Sequence, residues 1–204
     1  MPETNLFAIF GTDEGRVNEE GHGLARKLSE GLDPEFGLEV INGQADNADH
    51  ASQIVGRTLE ALQTMPFFGG TKVVWLQGAN FFADNQTGKA QATLSAVDSL
   101  SDFLEAGVPA DVQFLITASE IDKRRAFFKK VKKFAKIATY DKADIKKGGW
   151  EREVMDLAWI KAETLKLKIG HEALEHFVRM VGPDTRLLQN ELEKLSLFVG
   201  EREA

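Results

Sequence analysis

Leu6-Phe7-Ala8-Ile9-Phe10-Gly11-Thr12-Asp13-Glu14-Gly15-Arg16-Val17 is the stretch that decides the fold class. An apolar run closed by a glycine predicts a short strand buried on both faces. The positions Val17, Leu24, Ala25, Leu28 and Leu32 that follow approximate helical spacing, and Asp33-Pro34 stops the run. Strand, glycine loop and helix in that order are the layout that grips phosphates at a helix N-terminus. The chemistry needs more than the layout. A working phosphate loop supplies a lysine for the β and γ phosphates and a hydroxyl for Mg²⁺. Here Arg16 and Val17 stand in those places, the loop is one residue short, and Asp13 and Glu14 would repel a polyanion. The chain is therefore expected to act by binding other proteins, with no nucleotide site and no cofactor.

Outward from this stretch the alternation continues. Strands are expected at 38–41, 72–76, 112–116 and 137–140. Helical spacing runs through Ala51, Ile54, Val55, Thr58, Leu59 and Leu62, with Asp49 or Asn47 as cap, and again through Leu94, Val97, Leu100, Phe103 and Leu104. The segment 79–87 reads as a polar loop apart from Phe81-Phe82, and 126–136 as a helix. Five alternations predict an α/β fold: a parallel five-stranded sheet with helices on both faces, because parallel neighbours need crossover helices. The third strand, Val73-Val74-Trp75-Leu76, runs into Gln77-Gly78 where an ATPase would carry an acidic pair.

After Lys146-Lys147-Gly148-Gly149 the pattern is helical only. Stripes through Trp150, Val154, Leu157, Ala158 and Leu165, then Ala173, Leu174, Phe177, Val178 and Val181, then Leu188, Leu192, Leu195 and Val199 predict a small all-α bundle. Gly170 and Gly182-Pro183 are read as helix ends, and Asp184 or Thr185 as the last cap. Two domains are expected, 1–147 and 148–204, the second an incomplete lid-like bundle.

The chain has no cysteine, so disulfides and thiolate metal sites are excluded, which fits a reducing cytoplasm. No apolar segment approaches the ~20 residues needed to cross a bilayer, so no membrane partner is expected. Four scattered histidines, His22, His50, His171 and His176, do not form a metal pair at helical spacing. The net charge of −7 argues against non-specific coating of nucleic acid. It hides an asymmetry: Lys123 to Lys147 holds eleven Lys or Arg against Asp141 and Asp144, a local +9 that leaves −16 for the rest. Within it, Phe127, Val131, Phe134 and Ala135 form an apolar stripe, with Arg125, Lys129, Lys132, Lys133 and Lys136 mainly opposite. Such a helix is a solvated face, or meets an acidic partner or a DNA backbone. Met65-Pro66-Phe67-Phe68-Gly69-Gly70 places two large apolar side chains in a turn, where they either fold into the core or project as anchors for a partner's pocket.

Four pieces together resemble the delta subunit of the bacterial DNA polymerase III clamp loader. They are Ile9-Phe10-Gly11-Thr12-Asp13-Glu14, Met65-Pro66-Phe67-Phe68-Gly69 before Lys72-Val73-Val74, Ile121-Asp122-Lys123-Arg124-Arg125, and Asn190-Glu191-Leu192-Glu193-Lys194-Leu195. The resemblance implies an AAA+-like fold that has lost its ATP site, in a non-catalytic subunit of a polymerase holoenzyme. It implies binding of the sliding clamp (beta subunit) through Phe67 and Phe68, with Met65 as neighbour, and help in opening the ring. Further partners implied are the gamma/tau and delta prime subunits and primed DNA within the complex. The family continues past this length with a helical collar domain. Two other readings stay open from the residues: a phosphate-loop nucleotide phosphohydrolase, and a DNA-binding module using the basic helix 123–136.

Overall fold

The computed structural model describes residues 4–66 and 69–200. These form two compact units, one up to Tyr140 and one from Asp141.

The first unit is built on strands β1 (Leu6–Phe10), β2 (Leu38–Asn42), β3 (Lys72–Gln77), β4 (Val112–Ala118) and β5 (Lys136–Thr139), all parallel and ordered β2-β3-β4-β1-β5. Helices α1 (Glu14–Leu28), α2 (Ala48–Gln63), α3 (Gln86–Lys89), α4 (Gln91–Ala106) and α5 (Ala126–Phe134) connect them. The connections β2 to β3, β3 to β4 and β4 to β5 all move one way along the sheet, whereas β1 to β2 moves back. Right-handed crossovers therefore put α1 on one face and α2, α4 and α5 on the other. The packing agrees. Val17 and Ala25 of α1 bury Ile9, Trp75 and Leu115. On the opposite face Ile54, Leu62, Leu100, Phe127 and Val131 close over Phe10, Leu76, Phe114 and Ile116. Fully burying a side chain such as Phe114 contributes about 1.5–3 kcal/mol.

The element starts follow local chemistry. Asn47, not Asp49, caps α2, its side chain accepting from the His50 amide at 2.9 Å. Asn85 caps the short α3 through the Gly88 amide at 2.7 Å. In the second unit α6 (Trp150–Thr164), α7 (His171–Val181) and α8 (Thr185–Val199) enclose Val154, Ala158, Leu174, Val178, Leu188 and Leu192, and Asp184 caps α8. The helix α6 stops well before Gly170. Lys166 turns left-handed at φ 55°, and the Leu167 amide reaches back to the Ala162 carbonyl at 2.9 Å, which ends the helix without a glycine.

One sequence feature finds its place and two expectations are corrected. Phe81 and Phe82 are buried, Phe82 stacking on Phe127 at 4.3 Å between centroids, so the segment after β3 folds inward. Lys136 opens β5 and does not belong to the basic helix, which ends at Phe134. Phe134 is exposed; Phe128, packed against Phe10, takes its place in the apolar stripe.

Candidate functional site

The loop after β1 lies at the C-terminal edge of the sheet, beside the point where the chain turns to opposite faces after β1 and β4. Open parallel sheets bind ligands there. Here several of the loop's main-chain groups are taken by the chain itself. The Gly11 amide donates to the Ala118 carbonyl at 3.2 Å, the Asp13 amide to the Tyr140 carbonyl at 3.0 Å, and the Tyr140 amide to the Phe10 carbonyl at 2.8 Å. Asp13 is only 1% exposed, and its carboxylate accepts the Arg16 amide at 3.1 Å as the cap of α1. A negative charge already occupies the positive end of the helix, where a phosphate would have to sit. The Arg16 guanidinium lies 4.4 Å from the centre of the Tyr140 ring. Burial, followed by the charge of Glu20, pushes the Tyr140 phenol up.

The ends of β3 and β4 are equally self-contained. Thr117 accepts the Trp75 indole at 3.2 Å and the Gly78 amide at 2.9 Å through one hydroxyl. The Gln77 amide nitrogen lies 3.3 Å from the His22 ring nitrogen. His22 stands edge-on to Trp75 at 4.9 Å, a place in the α1 packing that its sequence context did not signal. A Cβ on Gly21 would meet Thr117 at 2.9 Å, so glycine lets α1 lie this close to the sheet.

The second candidate lies past the end of α2. Leu62 is fully buried, the Thr64 hydroxyl donates back to Glu60 at 2.7 Å, and Met65 is 83% exposed. Phe67 and Phe68 lie outside the described residues. The chain resumes with Gly69, whose amide donates to the Pro66 carbonyl at 3.2 Å. Lys72 then begins β3 with a buried side chain whose ammonium is 3.5 Å from Glu39. Sequence reading gave Lys72 no role, and the only signal was a cation at the head of an apolar run.

The basic cluster divides. Lys129, Lys132 and Lys133 are exposed on α5, while Lys136 lies on β5 with its ammonium 5.5 Å from the Phe7 ring centre. Arg125 is turned inward, donating to the Gly88 carbonyl at 2.7 Å and lying 3.6 Å from Asp122. Arg124 bridges Asp122 at 2.9 Å and Asp84 at 3.0 Å, joining the loops after β4 and β3. Its hydrogen bonds pull the Asp122 carboxyl down to about 2. Lys130 is held by Asp102 at 2.8 Å and Glu105 at 3.1 Å. Two of the cations in this region thus knit loops together, and three on α5 face outward.

An open five-stranded parallel sheet with helices on both faces, its first loop capped by its own Asp13, followed by a helical unit, defines the class: an α/β domain with a C-terminal helical part. A profile of the family described as DNA polymerase III, delta subunit, matches residues 7–141, and the chain belongs to that family. A second profile, described as a middle domain, matches residues 151–203. The DNA polymerase III subunit delta of Bacillus subtilis (strain 168) is 24% identical over 199 residues, covering 97% of this chain and 53% of that protein. The solved Bacillus subtilis DNA clamp loader delta protein superposes with a TM-score of 0.63 at 22% identity, over 98% of this chain and 55% of that one. A DNA polymerase III gamma subunit-related protein from Thermotoga maritima gives a TM-score of 0.51 at 16% identity, over 95% and 54%. The chain thus spans about half the length of the relatives it matches. No described helix is long and apolar enough to cross a membrane.

Proposed function

We propose that this chain serves a clamp loader by binding the sliding clamp and biasing its ring toward the open form, without hydrolysing ATP itself. The observation that carries this reading is Met65, 83% exposed directly after the buried end of α2 and two residues before Phe67-Phe68. A thioether and two phenyl groups this close together in sequence are the chemistry that fills an apolar pocket. Binding energy then does the mechanical work: a ligand shifts an equilibrium by its difference in affinity for the two states, so the segment must fit the open ring better than the closed one. Hydrolysis belongs to other subunits of the gamma/tau type, with delta prime completing the assembly in the cytoplasm. The self-capped loop supports a non-catalytic role.

Surface plasmon resonance against an immobilised bacterial sliding clamp tests this. Saturable binding by the wild type, lost in the Phe67→Ala, Phe68→Ala double variant and weakened in Met65→Ala, is the expected result. Equal binding by the double variant, with unchanged circular dichroism, removes the site assignment.

A second reading is favoured by Lys129, Lys132 and Lys133, which lie exposed on one helix. On this reading they would meet a phosphate backbone when primed DNA enters the complex, with affinity that falls as salt rises.

A further inference from the structure

The strand β2 is an edge of the sheet, with β3 as its neighbour. The Val73 amide donates to the Gly37 carbonyl at 2.8 Å, and the Gly43 amide to the Gln77 carbonyl at 2.7 Å. Main-chain groups alternate sides along a strand, so residues 37, 39, 41 and 43 address β3. The amides and carbonyls of Leu38, Val40 and Asn42 therefore point outward, along the open edge. The side chains of Leu38 and Val40 share the α1 face, because Val40 pairs with Trp75, which packs under α1. That helix covers the strands at the centre of the sheet, and at its margin Val40 is 46% exposed, while Phe36, in the turn just before β2, is 47% exposed.

Edges left open are usually blunted by lysine, proline or a bulge. This one carries none of these within Leu38–Asn42. The sequence around it is acidic: between Lys27 and Arg57 it holds no lysine or arginine and six carboxylates, Glu30, Asp33, Glu35, Glu39, Asp46 and Asp49, of which Glu39 lies 3.5 Å from the Lys72 ammonium. An apolar strip, a row of main-chain groups and negative charge thus coincide on one strand.

We propose that the outer edge of β2 docks an extended segment of a partner protein, which adds a sixth strand with apolar side chains on the α1 face and lysine or arginine beside Glu35. Strand addition of this kind takes its affinity from main-chain hydrogen bonds and its specificity from alternate side chains. Charge selects the occupant. A second copy paired β2 to β2 would bring two acidic edges together, and like charges across a pair of strands are destabilising. The inference is independent of the clamp-binding segment.

The probe is a fluorescein-labelled peptide of about nine alternating valines and lysines, long enough for one strand, titrated with the full chain and read by anisotropy. Two further peptides carry N-methyl groups on every second amide, one set on each side of the strand. Main-chain pairing predicts that one methylated peptide binds like the parent and the other at least about tenfold more weakly, about 1.4 kcal/mol. Val40→Pro, which removes an outward amide and is tolerated on an edge strand, should weaken the parent peptide similarly. Glu35→Gln should lower the salt dependence. If both methylated peptides bind like the parent, attraction is by charge alone and the proposal is overturned, whether or not Val40→Pro folds. Absence of binding by the parent overturns it too. So does self-association of the wild type in analytical ultracentrifugation that Val40→Pro abolishes, which would make a second copy the occupant.

Discussion

Gly11 and Tyr140 touch backbone to backbone: a Cβ on Gly11 would lie 1.8 Å from the Tyr140 carbonyl oxygen, and the Gly11 φ is +147°. The first strand and the last residue of the first unit are thereby clasped, with the Tyr140 amide and carbonyl taken by Phe10 and Asp13. Any side chain at Gly11 must push β5 off β1 and also adopt a strained backbone. Gly11→Ala is expected to cost about 3 kcal/mol or more, measured as a fall in the urea midpoint at unchanged slope. Gly23, with nothing within 4 Å of its Cβ position, gives the contrast. Gly23→Ala in the exposed helix should stabilise by about 0.5–1 kcal/mol.

Asp13 explains in one side chain why the loop keeps its shape without phosphate. Asp13→Ala removes the cap of α1 and should cost about 1 kcal/mol, with Asp13→Asn closer to wild type because its oxygen still accepts the Arg16 amide. Calorimetric titration with Mg²⁺-ATP should give no heat of binding for the wild type.

How much of this was legible in the residues varies by the kind of interaction. The strands announced themselves as runs such as Val73-Val74-Trp75-Leu76, since burial on both faces leaves no room for polar side chains. The caps were narrowed to pairs, Asn47 or Asp49 and Asp184 or Thr185, and only geometry chose between them. Phe81 and Phe82 stand out from the polar loop around them, but the stacking partner of Phe82, Phe127, lies far along the chain, and no local pattern encodes such a contact. Asp13 was legible as an obstacle to phosphate, but not as a buried cap. Arg125 counted as one more surface cation until Gly88 and Asp122 were seen around it. Charge is visible in sequence; its partners are tertiary. The Phe67-Phe68 turn lies outside the described residues, so Met65 is the member of that trio whose exposure the structure supplies.

The Arg124 bridge makes a prediction in pH. The Asp122 carboxyl is lowered from its ordinary 3.8 to about 2 by the hydrogen bonds and charge of Arg124. A group depressed in the folded state contributes stability that is present above its unfolded value and lost as pH falls through the folded one. Thermal melts should therefore show a loss of Tm between about pH 4 and pH 2 that is smaller in Asp122→Asn. That variant should already be less stable at neutral pH, with faster hydrogen exchange at the Arg124 amide, which donates to Asp122 at 3.0 Å.

Thr117 accepts two donors through one hydroxyl, the Trp75 indole and the Gly78 amide. Thr117→Val keeps the shape and leaves the buried Trp75 indole without its acceptor, while the half-buried Gly78 amide loses its partner too. Leaving a buried donor unpaired costs about 1–3 kcal/mol, so this variant should be less stable than Thr117→Ser. A change in Trp75 fluorescence accompanying the loss would locate it.

Lys72 and Glu39 separate the worth of a charge pair from the cost of breaking it. The Lys72 side chain is buried at the head of β3, directly after the segment that holds Met65, while Glu39 reaches it from half-exposed β2 at 3.5 Å. Removing the carboxylate leaves a buried ammonium with less compensation; removing the ammonium leaves a carboxylate that water can solvate. Because Glu39 is half exposed, the full penalty of a buried pair does not apply. Glu39→Gln is expected to cost about 1–2 kcal/mol, and Lys72→Met to be neutral or stabilising. A double-mutant cycle by urea denaturation measures the coupling directly. If Lys72→Met proves the more damaging of the two, then the ammonium is held by acceptors other than Glu39, and Glu39 is only a bystander at the edge of the sheet.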